Sequence, residues 1–273
     1  MMRALIVPAC AALALLACGD EGTSADVHHT LTFAAVAGGR AVTCGETYSL
    51  GDPAMAAEIS DLRFYVHDVR LLTAAGVGVP LVLDDDGRWQ DGAVALLDFE
   101  DKTGACTTGT TETHTEIGGT APDGDYTGVA FTVGVPEALN HEDAATAGSP
   151  LNLSSLFWSW TGGYKFFRLD LATAAGGWHV HIGSTACTGG PDAAISCARP
   201  NRPEVRLTGV VPGRDTVAFD LAALLSDSDL GAGDAGCQSG DDEPDCAAIF
   251  PRLGLALDDA AAAPVQTVFV AAP

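Results

Sequence analysis

The chain has 273 residues and carries 36 Asp+Glu against 13 Lys+Arg, a formal net charge of −23. A surface this acidic repels phosphate backbones, which excludes nucleic acid as a partner and favours cations or a basic protein. With 32 Gly and 14 Pro, the sequence leaves little room for long helices.

Met1, Met2 and Arg3 precede an apolar run from Ala4 to Ala17, too short to cross a bilayer as a stable helix. The run ends in Leu15-Leu16-Ala17-Cys18-Gly19, which resembles a bacterial lipobox. Residues 1–17 are therefore expected to be a signal peptide removed before a lipid-carrying Cys18. An ordinary secretory signal cleaved near Ala17 is the other reading. Residues 18–30 then act as a tether and 31–273 as a single domain, held by its lipid at a membrane in the periplasm or at the cell surface.

Short apolar or alternating segments predict strands at 62–66, 80–83, 94–99, 126–135, 164–171, 178–182, 205–207, 215–219 and 265–270. Turn signals such as Asp84-Asp85-Asp86-Gly87 and Asp123-Gly124-Asp125 separate them. One short helix is predicted after Asp220, a good N-cap, and a second over 137–145. The pattern is that of an all-β antiparallel sandwich or barrel-like domain with one or two short helices. The stretches 107–119 and 231–245 read as polar, Gly-rich insertions.

Of the 8 cysteines, Cys10 and Cys18 lie in the signal, leaving an even set in an exported chain. Cys187–Cys197 and Cys237–Cys246 each close a short loop, and Cys44–Cys106 follows by elimination. A zinc site is the rival, but no C-x-x-C pair exists to support it.

The chain has no nucleophile elbow, P-loop, dinucleotide fingerprint or H-E-x-x-H, so a binding protein and not an enzyme is expected. His28, His29, His67, His114, His141, His179 and His181 are the histidines. His179 and His181, two apart on a predicted strand, project from one face and could supply half of a copper or zinc site. Trp158 and Trp160 share the same spacing, with core packing as the plain alternative. The acidic runs 84–87 and 227–234 offer oxygen ligands but lack the EF-hand pattern, and are read as turns.

Three segments, Phe157-Trp158-Ser159-Trp160-Thr161-Gly162-Gly163-Tyr164-Lys165-Phe166, His181-Ile182-Gly183-Ser184-Thr185-Ala186-Cys187 and Cys197-Ala198-Arg199-Pro200-Asn201-Arg202-Pro203-Glu204-Val205, resemble the MbnP-type copper-binding proteins. These form a periplasmic four-cysteine family encoded beside a MauG-like di-haem peroxidase. Residues 61–72, 96–101 and 135–141 resemble it in the same order, so the likeness runs from about Thr32 to Leu225. It implies one copper ion and a partner peroxidase that oxidises one tryptophan to kynurenine. On that basis Trp158 or Trp160 is the precursor, Trp160 favoured because it abuts Gly162-Gly163. His181 and His141 fall in matching motifs and are the implied imidazole ligands; His179, Met55 and His67 stay candidates outside those motifs. The Cys237–Cys246 tail does not map onto the family. Two other readings stand beside copper binding: a structural or adhesive surface lipoprotein without metal, and a redox accessory of the haem partner.

Overall fold

The computed structural model describes residues 24–190, 193–232, 235–240, 242–257 and 262–272. The expected signal 1–17, Cys18 and the first part of the tether lie outside them. In the strand Asp26–Ala37, Leu31, Phe33, Ala35 and Ala37 are buried and their neighbours are half-exposed, the period-two pattern of a sheet with one wet face. That strand begins inside the stretch read as tether.

Asp26–Ala37 is the middle of a six-stranded sheet, between Thr216–Asp220 and Glu116–Pro122. A nine-stranded sheet is organised around Met55–Thr73, which pairs with Tyr126–Val133 on one side and Phe167–Thr173 on the other. The next strand outward is Gly176–Ile182. Pairing is mostly antiparallel. Two parallel pairs occur among the described residues, Asp26–Ala37 with Thr216–Asp220 and Gly176–Ile182 with Ala235–Cys237. Each joins segments far enough apart in sequence for a crossover, as parallel pairing requires. The sheets share one core, in which the Phe64 ring centroid lies 5.7 Å from those of Phe99, Phe167 and Phe269.

Residues 61–66 are buried on both faces of their strand. Leu62, Phe64 and Val66 enter the main core, whereas Tyr65 joins a second cluster with Leu96, Val135, Leu156, Tyr164 and Phe166. The irregular chain between residues 134 and 166 builds that second cluster. Tyr65 and Tyr164 satisfy their buried hydroxyls on the carbonyls of Pro150 (3.0 Å) and Leu151 (2.7 Å).

Three local expectations are corrected. Residues 137–145 form turns, not a helix, because the Asp143 carboxylate takes the Ala145 N–H and Asn140 accepts from Tyr164, diverting side chains into local and long-range caps. The predicted strand 164–171 is broken: Lys165 N–H reaches Leu156 O and Phe166 N–H reaches Ile182 O, so the ladder restarts at Phe167. Residues 265–268 are not in a strand, because the Gln266 side chain accepts from Val268 and Phe269 N–H and turns the chain; only Phe269–Ala272 is a strand. A helix absent from the sequence reading, Cys246–Leu253, ends at Gly254 with φ 80°. The helix after Asp220 forms over Leu221–Leu224, capped by that carboxylate on Ala222 and Ala223 N–H.

Three disulfides are present, Cys44–Cys106, Cys187–Cys197 and Cys237–Cys246. Cys44–Cys106 closes the longest loop, with a sequence separation of 62. Chain-entropy arguments assign such a loop about 4 kcal/mol. The double variant Cys44→Ala/Cys106→Ala should lose stability of that order in urea or guanidinium unfolding, and a loss below about 1 kcal/mol would contradict an important cross-link here.

Candidate metal centre

The back face of the nine-stranded sheet carries charge where a sheet of this size would ordinarily carry apolar side chains or water. Leu62, Leu169 and Val180 point into the main core, so alternation sends Asp61, Arg63, Arg168, Asp170, His179 and His181 to the opposite face. Register then aligns them in two rows. Asp61, Asp170 and His179 are neighbours across three strands, and Asp98, Arg63, Arg168 and His181 across four.

The row ends at the histidine pair. The His179 and His181 rings stack with centroids 4.8 Å apart. His181 Nε2 lies 2.6 Å from Asp170 Oδ1, and Asp170 Oδ2 accepts from Arg168 Nε at 2.8 Å. A carboxylate acceptor makes Nε2 the protonated nitrogen, which leaves the lone pair on Nδ1. That Nδ1 is buried and has no hydrogen-bond partner among the described residues. A carboxylate behind an imidazole whose other nitrogen is bare is the usual support of a metal-ligating histidine.

Electrostatics agree with neutral imidazole at His179. Burial lowers its pKa, the charge of His181 lowers it further, and Asp170 opposes both. Burial alone would raise the Asp170 carboxyl, but the hydrogen bond and charge of His181, with Arg168, outweigh it and hold it at about 2. His179, Trp178, Gly177, Ser60 and Asp170 border a depression of about 250 Å³, so His179 is reachable from solvent.

Gly183 lies two residues after His181, just past the end of the strand Gly176–Ile182. A Cβ there would fall 2.5 Å from Trp158 Cζ3 and 3.0 Å from Cη2, so the Trp158 indole lies directly on the glycine. Ser239 Oγ accepts from Gly183 N–H at 3.0 Å, and Asn201 Nδ2 donates to its carbonyl at 2.9 Å. These bonds fix the corner on which the indole rests. Trp158 is half-buried, whereas Trp160 is 52% exposed in the following turn.

His141 sits elsewhere. Its Nδ1 donates to Trp160 O at 3.0 Å, and its Nε2 faces Asn140 Nδ2 at 3.1 Å and Cys197 Sγ at 3.3 Å. Among the described residues, no three candidate donor atoms within 4.8 Å of one another join His141 to His179 or His181; the two groups found are His141, Cys187 and Cys197, and Cys237, Glu243 and Cys246. His67 is held on Gly134 O at 2.9 Å, and Met55 packs against the main core. Asp86 spends its carboxylate on the N–H groups of Arg88, Trp89 and Gln90, as a turn residue does. Sequence reasoning missed Asp170 and Asn140. Folding the chain about Ala174-Ala175 sets Asp170 opposite His179 and Arg168 opposite His181, and that register was the available signal.

A depressed carboxylate pKa stabilises the fold above the unfolded value near 3.8 and loses that contribution as pH falls toward the folded value, about 2. Asp170→Asn should therefore cost about 2 kcal/mol near neutral pH and flatten the stability curve between about pH 4 and pH 2. Unfolding midpoints measured across that window for both proteins check the slope.

No curated protein sequence matches the chain. In three dimensions it is similar to MbnP from Methylosinus trichosporium, with a TM-score of 0.81 and 31% identity, covering 91% of this chain and 99% of that one. The family model for MbnP matches residues 26–239, a span that contains the histidine pair, Trp158, Trp160 and two of the three disulfides whole. The chain belongs to the MbnP family.

Proposed function

We propose that this chain is an exported copper-binding protein, with His179 and His181 as its imidazole ligands and Trp158 as the residue that a MauG-like di-haem peroxidase converts to kynurenine. The observation that carries the reading is the buried, unpartnered Nδ1 of His181, with Asp170 on the opposite ring nitrogen. Bare imidazole nitrogen suits copper in either oxidation state. The acidic envelope concentrates cations around the site before capture.

Trp158 is preferred to Trp160 because its indole covers the position following His181, while Trp160 meets His141 through its backbone carbonyl. With dioxygen, or two equivalents of hydrogen peroxide, as the oxidant at the peroxidase, the indole C2–C3 bond would break and each carbon would gain one oxygen; water would then release C2 as formate. An aniline nitrogen and a ketone oxygen would remain where the indole offered only an N–H donor. Those donors would lie over Gly183, two residues after His181. The exposed surface belongs to a protein retained by a lipid on Cys18 in the periplasm or at the cell surface, and its role is binding, not catalysis.

Copper titration of the mature chain against a chromophoric competitor, after co-expression with the peroxidase, tests the reading. One copper per chain is expected, lost in His181→Ala and weakened about 10–100-fold in Asp170→Asn. Intact mass should show the kynurenine change in the parent and in Trp160→Phe but not in Trp158→Phe. Full copper binding by His179→Ala/His181→Ala would overturn the ligand assignment, and an unmodified Trp158 in the presence of active peroxidase would overturn the maturation step.

A further inference from the structure

We propose a second, redox-gated site for a soft d10 metal ion, formed by His141, Cys187 and Cys197 when their disulfide is reduced. It is independent of the His179–His181 reading. The three candidate donor atoms, one nitrogen and two sulfurs, already lie within 4.8 Å of one another. As a disulfide the sulfurs are poor ligands; as thiolates they are strong ones.

The imidazole is oriented for this role by a chain of fixed hydrogen bonds. Tyr164 N–H donates to Asn140 Oδ1 at 3.0 Å, which settles the orientation of a fully buried amide. Asn140 Nδ2 must then donate to His141 Nε2, while His141 Nδ1–H donates to Trp160 O. Nε2 is thereby the unprotonated nitrogen, and it faces Cys197 Sγ at 3.3 Å. Gly163 keeps the amide in place: its φ is 73°, and a Cβ there would fall 2.6 Å from both oxygens of Asn140.

Access separates this disulfide from the other two. Cys106, Cys237 and Cys246 are completely buried and Cys44 is 8% exposed, whereas Cys187 and Cys197 are both half-buried. The pair bridges Thr185–Gly190 and Ala193–Arg199, a two-stranded hairpin hydrogen-bonded to neither large sheet. Cys187 lines a cavity of about 280 Å³ beside Trp158, and His141 lines one of about 450 Å³ beside Trp160. A small reductant or the active-site dithiol of a thioredoxin-like protein can reach the bond, and the hairpin can open without disturbing the core.

The chemistry balances with a dithiol as the two-electron reductant. One of its thiolates attacks a hairpin sulfur and forms a mixed disulfide; its second thiol displaces the hairpin sulfur, leaving two protein thiols and an oxidised dithiol. The single His141 Nε2 lone pair gives up its hydrogen bond from Asn140 Nδ2 when it takes the ion. Cuprous or zinc ion then takes two thiolates and one imidazole, releasing the thiol protons.

The full mature chain is treated with a phosphine reductant under native conditions, alkylated and peptide-mapped, and in parallel titrated with cadmium as the thiophilic probe, followed by its thiolate charge-transfer absorption. Alkylation confined to Cys187 and Cys197 is expected, together with one cadmium bound by the reduced chain beyond any bound by the oxidised one. His141→Ala should weaken that additional binding about tenfold or more, and Cys187→Ser/Cys197→Ser should abolish it. His181→Ala should leave it intact, which keeps this result separate from the fate of the copper reading. Equal reduction of all three disulfides, no additional cadmium on reduction, or unchanged affinity in His141→Ala would each overturn the proposal.

Discussion

The ionic cluster around Arg63 is the constraint on which the back of the molecule depends. Its guanidinium, 3% exposed, is hydrogen-bonded to Asp61 through Nε at 2.8 Å and lies 3.9 Å from Glu100. Burial works against the charge on Arg63, but Asp61, with Asp98 and Glu100, raises its pKa and keeps it ionised. Burial pushes the Asp98 carboxyl up to about 7 despite Arg63, and raises Glu100 for the same reason. Such a cluster gives little net stability, yet losing one member would strand the others uncompensated. The strand that carries it is thereby tied to its neighbours in one register, since a one-residue slip would turn these charges into the phenylalanine core.

That register decides what the rest of the face can be. Beyond Arg63 the polar row continues through Arg168, which bridges Asp61 at 3.1 Å and Asp170, to the histidine pair. In the other direction the same strand face turns apolar at Tyr65, and residues 134–166 cover it. Trp158 stands where the apolar cover meets the polar row. An indole in that position has the histidines along one strand and the hairpin disulfide beyond the corner, with Gly183 as the only residue type that allows its close approach.

The two histidine environments differ in how they are held. His181 is fixed by a charged partner on a long, doubly paired strand. His141 lies in a run of turns, and its ring is held by a neutral amide and a backbone carbonyl. The first arrangement leaves His181 Nδ1 buried without a hydrogen-bond partner among the described residues; the second sets His141 Nε2 beside Cys197 Sγ. The histidine pair therefore rests on the sheet, and His141 rests on the irregular cover.

The sequence carries the strand-rich class, the Cys187–Cys197 and Cys237–Cys246 pairs and the Asp220 helix cap in alternation, short-loop closure and capping, local properties read over a few residues, with Cys44–Cys106 reached by elimination and the family likeness through ordered motifs. It also marked His179, His181, His141, Trp158 and Trp160 as the residues of interest. Only the tertiary structure decided how they divide, setting His179 and His181 against Asp170 and His141 against Cys197. Those partners lie 11 and 56 residues away and meet through strand register and hairpin placement. The turns at 137–145 and the break at Lys165–Phe166 escaped local reading for the same reason: Asn140 Oδ1, Leu156 O and Ile182 O claim backbone donors from distant segments, and no periodicity records a hydrogen bond made across the fold.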